Sequence, residues 1–146
     1  MSNDHLMNNF ESTLSYAELL DLFEKAKGWE EKYRQIMLLG KQLKRPDGSL
    51  LIEANQVEGC ESQVWMVIQK QENTLNIIAY SDSKIVRGLV GLLLIAIREL
   101  KLEEIAVFDA EAFFQTLKLE SHLSPSRTNG LKSLIDHMIA AAKNEI

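Results

Sequence analysis

The stretch VWMVIQKQENTLNIIAYSDSKIVRGLVGLLLIAI, residues 64–97, changes its apolar period from strand-like to helix-like across three small polar residues. Val64 to Ile68 is a continuous apolar run containing two valines, an isoleucine and a tryptophan, the pattern of a strand covered on both faces. Asn73 and Thr74 allow a turn, and Leu75 to Tyr80 returns as a second strand, with Leu75, Ile77 and Ala79 on one face and Ile78 and Tyr80 on the other. Ser81, Asp82 and Ser83 are candidate caps for a helix over Lys84–Leu100. That helix is apolar almost all round from Ile85 to Ile97, with Gly88 and Gly91 permitting close approach, so it is expected to lie buried on the sheet. A hairpin feeding a buried helix predicts an α+β fold, a small antiparallel sheet of two to three strands packed with five to six helices.

Working outward, residues 1–14 are polar and unpatterned and are expected to form a flexible arm, leaving residues 15–146 as one domain. Tyr16, Leu19, Leu20 and Phe23 follow one helix face, with Ser15 as N-cap and Glu18 placed as in a capping box; Gly28 ends that helix. Trp29, Tyr33, Ile36, Met37 and Gly40 mark the inner face expected for a second helix. Arg45-Pro46-Asp47-Gly48 is a turn, followed by irregular chain in which Val57 to Gly59 could close a third strand. Beyond the central helix, Leu102–Phe108 and Ala110–Leu117 read as short helices, the second capped by Asp109. The last helix has Ser124 as cap, Pro125 in its first turn, and an apolar stripe through Leu131, Leu134, Ile135, Met138, Ile139 and Ala142.

Composition narrows the function. Of the 146 residues, 25% are charged and 46% hydrophobic, as in an ordinary globular domain. A net charge of −5 argues against general nucleic-acid binding, and the basic group Lys41, Lys44 and Arg45 reads as the cationic end of a helix. The longest apolar run, Gly88 to Ile97, is too short to span a bilayer and is bracketed by Arg87 and Arg98. With no signal-peptide pattern and one cysteine, a cytoplasmic protein without disulfides is expected.

That cysteine, Cys60, lies in Glu58-Gly59-Cys60-Glu61-Ser62, a polar turn with a thiol at its tip. The neighbouring Glu58 and Glu61 are expected to raise the thiol pKa, so that Cys60 becomes nucleophilic when a partner supplies positive charge. Three uses are open to it: packing, a cysteine hydrolase with His122 or His137 as base, or sulfur chemistry. His5 falls in the expected arm, and no phosphate loop, dinucleotide fingerprint or metal-ligand spacing is present. Glu103 and Glu104 read as a solvated helix face.

Four segments taken together, WEEKYRQIMLLGKQL (29–43), VEGCESQVW (57–65), SDSKIVRGL (81–89) and LSPSRTNGL (123–131), resemble the SufE family of sulfur acceptor proteins, including its CsdE branch. The resemblance runs from about Phe23 to the end of the chain. It implies a fold similar to iron–sulfur scaffold proteins of the IscU type. It also implies that Cys60 accepts sulfane sulfur as a persulfide from a cysteine desulfurase of SufS or CsdA type, stimulating it, and passes the sulfur toward iron–sulfur cluster assembly or another recipient such as tRNA modification. Gly59, Glu61, Ser62, Asp82 and Arg127 fall on family motif positions as supporting or docking residues. The implied role is that of an accessory carrier, monomeric or weakly dimeric alone, without its own cofactor; pyridoxal phosphate belongs to the desulfurase. Lacking a second cysteine to complete a metal site, the chain is expected to carry sulfur and not to hold a cluster.

Overall fold

The hairpin forms. Strand β1 (Val64–Gln71) pairs antiparallel with β2 (Thr74–Ser81), from Val64 opposite Ser81 to Gln71 opposite Thr74. The structure, a computed structural model, describes residues 8–145 of the chain. Alternation buries Val64, Met66, Leu75, Ile77 and Ala79 on one face. The other face departs from the expectation of a strand covered on both sides. Ile78 is buried there, but Trp65, Val67 and Tyr80 are only half-buried, because the segment containing Pro46, Leu50 and Leu51 lies over them where a second helical layer would have to be. A loop screens apolar side chains from water less completely than a helix. The third strand reduces to one bridge, Gln56 opposite Trp65.

Six α-helices are found among the described residues: α1 (Tyr16–Lys25), α2 (Gly28–Lys41), α3 (Lys84–Ile97), α4 (Leu102–Ala106), α5 (Ala110–Leu117) and α6 (Pro125–Glu145). The capping box at α1 is complete, with Ser15 Oγ accepting from the Glu18 amide at 3.1 Å and Glu18 Oε1 accepting from the Ser15 amide at 2.9 Å. Helix α3 is the axis of the core, with every residue from Gly88 to Ile97 buried. It crosses α2 where two glycines meet. A Cβ at Gly88 would lie 2.1 Å from the Ile36 carbonyl oxygen, and one at Gly40 would lie 3.0 Å from the Gly88 nitrogen. Only hydrogen at both positions lets the two backbones approach so closely.

Two expectations need correction. The inner face of α2 is Lys32, Ile36, Leu39 and Gly40, whereas Tyr33 is 43% exposed and Trp29 and Met37 are half-buried. Lys32 can be buried because its ammonium donates to the carbonyls of Phe23, at 2.8 Å, and Ala26, at 3.3 Å, which satisfies the end of α1. Burial, and after it the charge of Lys118, holds the Lys32 pKa below the ordinary lysine value.

The second correction concerns the expected arm. Residues 1–7 lie outside the described residues, but residues 8–14 are strapped onto the domain. Phe10 is buried and bridges Leu43, the Asn9 side chain donates to the carbonyls of Lys44 and Ala79, and the Arg98 guanidinium donates to the carbonyls of Ser12 and Leu14. Gly91 makes the space, since a Cβ there would touch the Phe10 ring at 3.1 Å.

Candidate functional site

Cys60 sits in a loop whose two ends are pinned and whose middle is nearly free. At its start the Val57 amide donates to the Val64 carbonyl at 2.9 Å. At its end the Gln63 carbonyl accepts from Ser81 Oγ at 2.7 Å and from the Asp82 amide at 3.4 Å, while Asp82 Oδ1 accepts from the Gln63 amide at 3.1 Å. Asp82 is therefore a brace for the loop. The N-cap of α3 is Ser83, whose hydroxyl accepts from the Val86 amide.

Between these anchors the loop touches α6 at two points. Gly59 has φ +92, and a Cβ built on it would fall 2.4 Å from Ser133 Oγ, so both conformation and space demand glycine. The Cys60 thiol donates to the Gly130 carbonyl at 3.6 Å, a weak sulfur contact. Helix α6 can offer this surface because Ser124 caps it, accepting from the Arg127 amide at 3.2 Å, and because its apolar stripe seats it on the core.

Cys60 faces a cavity of about 50 Å³ lined by Glu61, Ser62, Val86, Leu89, Arg127 and Leu131, among others. One water needs on the order of 10–15 Å³, so an extra atom on Sγ has room. The thiol is half-buried and free, and burial raises its pKa above the ordinary cysteine value. That direction agrees with the sequence expectation, but the cause is desolvation and not the flanking glutamates, whose side chains are exposed to water.

The structure thus brings Cys60, Glu61, Ser62 and Arg127 to one cavity, with Gly59 against Ser133 and Asp82 bracing the end of the loop at Gln63. Neither histidine weighed as a base lines it. His122 is stacked on Trp29, with ring centroids 5.0 Å apart, and His137 is exposed on α6; His5 lies outside the described residues. Among the described residues no group of three or more His, Cys, Asp or Glu could hold a metal ion, and no helix is long and apolar enough to cross a membrane. Sequence reasoning missed Gly130 and Ser133. Gly130 takes part through its backbone carbonyl, which any residue would offer, and nothing local marks Ser133.

The family described as SufE, Fe-S metabolism associated domain, matches residues 17–142. The chain belongs to the SufE family. It is 36% identical over 135 residues to the sulfur acceptor protein CsdE of Escherichia coli strain K12, covering 92% of each chain. In fold it is similar to a hypothetical protein from Thermus thermophilus solved in solution, with a TM-score of 0.71 over 88% of this chain and 93% of the other at 17% identity. Membership of the SufE family gives the lone thiol a context that geometry by itself does not supply.

Proposed function

We propose that Cys60 accepts sulfane sulfur from a pyridoxal-phosphate cysteine desulfurase of SufS or CsdA type and carries it as a persulfide toward iron–sulfur cluster assembly. The observation that carries the reading is the placement of the chain's only thiol, on a doubly anchored loop against a cavity with room for one more atom. In the transfer, the Cys60 thiolate attacks the terminal sulfur of the donor's persulfide. A new S–S bond forms at Cys60, the donor's S–S bond breaks, and the donor cysteine leaves as thiolate. The proton lost by Cys60 beforehand goes to water. Nothing is oxidised overall, because sulfur of one oxidation level passes between two thiols.

Burial makes the resting thiol a poor nucleophile, so transfer requires the loop to leave α6 and expose Sγ to water and to the donor. Gly59 supplies the backbone freedom, while the anchors at Val57 and Gln63 keep the displacement local. The loaded sulfur, returned to the cavity, is shielded from solvent reductants. A hydrolase reading draws no support, because no histidine lines the cavity to take the thiol proton.

Intact-mass measurement after incubation with a desulfurase and free cysteine tests the proposal. The wild-type chain is expected to gain one sulfur atom, lost again on reduction, and Cys60→Ser is expected to gain none. Absence of gain in wild type, under conditions where another acceptor is loaded, would sink the reading.

A further inference from the structure

Outside the Cys60 cavity, the molecule's most unusual surface is a groove of about 340 Å³ where the end of α2 meets the start of α3, lined by Met37, Gly40, Lys41, Lys84 and Arg87. Three of the five are cations, in a chain whose net charge is −5. By sequence Lys41 groups with Lys44 and Arg45. The fold separates them: Lys44 pairs with Glu11 at 3.7 Å, whereas Lys41 turns to Lys84 and Arg87.

Arg87 is held rigidly, its Nε donating to the Ser81 carbonyl at 2.7 Å and its guanidinium lying over the Tyr80 ring at 4.6 Å. None of the three cations forms an ion pair among the described residues. The close packing of Gly40 on Gly88 is what brings cations from two helices onto one groove. A cluster of like charges kept without counterions loses Coulomb energy to mutual repulsion, which an acidic partner would reverse on docking.

The groove and the thiol lie at the same end of α3. Lys84 and Arg87 face the groove, while Val86 and Leu89, on the same stretch of α3, line the Cys60 cavity. Those residues span about 7.5 Å of helix rise but point to opposite sides of α3, roughly 160° apart at 3.6 residues per turn. Groove and cavity therefore flank the first turns of the helix, and a partner footprint of about 800 Å² is wide enough to reach across that end.

We infer that Lys41, Lys84 and Arg87 form the electrostatic half of the desulfurase docking surface and receive an acidic segment of that enzyme across the first turns of α3 from the sulfur-transfer site. The inference rests on the acceptor reading of Cys60, and it names the chemistry that the partner presents.

The test measures loading of Cys60 by a desulfurase against protein concentration and sodium chloride, for wild type, for the pair Lys41→Glu with Lys84→Glu, and for Lys143→Glu. Lys143 is about 24 Å along α6 from Arg127, and its reversal reports the effect of added negative charge away from the groove, at half the change made by the pair. Arg87 is left intact because its hydrogen bond to Ser81 serves the fold. The double variant is expected to need about 10-fold more protein for half-maximal loading at low salt and to lose most of the salt dependence, as removal of steering charges does. Lys143→Glu is expected to match wild type. A double variant within two-fold of wild type would overturn the inference, and so would a shift in Lys143→Glu of half the double variant's or more on a logarithmic scale. If wild type were not loaded at all, the acceptor reading would fail separately, and the salt dependence of direct binding to the desulfurase would decide the groove.

Discussion

Two places in this molecule depend on glycine for close approach, and they serve opposite ends. At the α2–α3 crossing, Gly40 and Gly88 let backbone meet backbone inside the core, with Ile36 and Leu39 sealed beside them. At the Cys60 loop, Gly59 lets the chain lie against Ser133 of α6, with one weak S–H···O interaction from Cys60 to the Gly130 carbonyl beside a cavity, and Gly59 itself is exposed. The first contact buries apolar area and has no alternative arrangement. The second buries little and can be exchanged for a partner's surface. Identical residue types thus give a permanent joint in one place and a releasable one in the other, and the difference is how much apolar surface surrounds the glycine.

The comparison breaks most readily at the core joint. Gly88→Ala would put a methyl 2.1 Å from the Ile36 carbonyl oxygen and 2.4 Å from Ile36 Cγ2, neither of which can yield without moving α2. A loss of about 3 kcal/mol is expected, the upper part of the overpacking range. Chemical denaturation would register it as a lower midpoint at unchanged slope. An unaltered midpoint would mean that the helices are less tightly seated than this geometry requires.

Gly59→Ala imposes a comparable clash, 2.4 Å from Ser133 Oγ, together with a φ that alanine avoids at a cost of about 1–2 kcal/mol. Here the chain can yield. The loop is expected to lift from α6, with a global stability loss of about 1 kcal/mol, while alkylation of Cys60 by iodoacetamide accelerates several-fold. Equal loss at Gly59 and Gly88 would erase the distinction between the two joints.

The legible parts of the fold were those written in local pattern. The hairpin, the all-apolar α3, the capping box at Ser15 and Glu18, and the stripe of α6 each follow from residues within a few positions of one another. Cys60 was legible for the same reason, since a thiol in a polar turn is a local anomaly. What was hidden depends on distant partners. Lys32 looks solvated until the end of α1 supplies carbonyls for its ammonium, and residues 8–14 look unstructured until Gly91 offers Phe10 a slot. The cause of the thiol's raised pKa was misread likewise: glutamates adjacent in sequence are exposed, and the shift comes from burial, beside residues of α3 and α6 far along the chain.

The smallest effect sharpens the comparison furthest, because it reads the loop without disturbing it. Desolvation raises the Cys60 pKa, so the protonated thiol is the form that suits the closed loop. The stabilisation linked to that proton is complete below the unfolded thiol's pKa and is lost as pH rises through the higher folded value, which confines any effect on stability to alkaline solution. At neutral pH the consequence is kinetic: a smaller thiolate fraction and slower alkylation than a free cysteine shows. The rate profile of wild type is therefore expected to have its midpoint above that of a denatured control, and the midpoint for Gly59→Ala is expected to fall back toward that control. Were wild type to titrate at or below the control, the loop would hold a thiolate at rest, some cation would have to stabilise it, and Arg127, which lines the cavity, would be the first to replace.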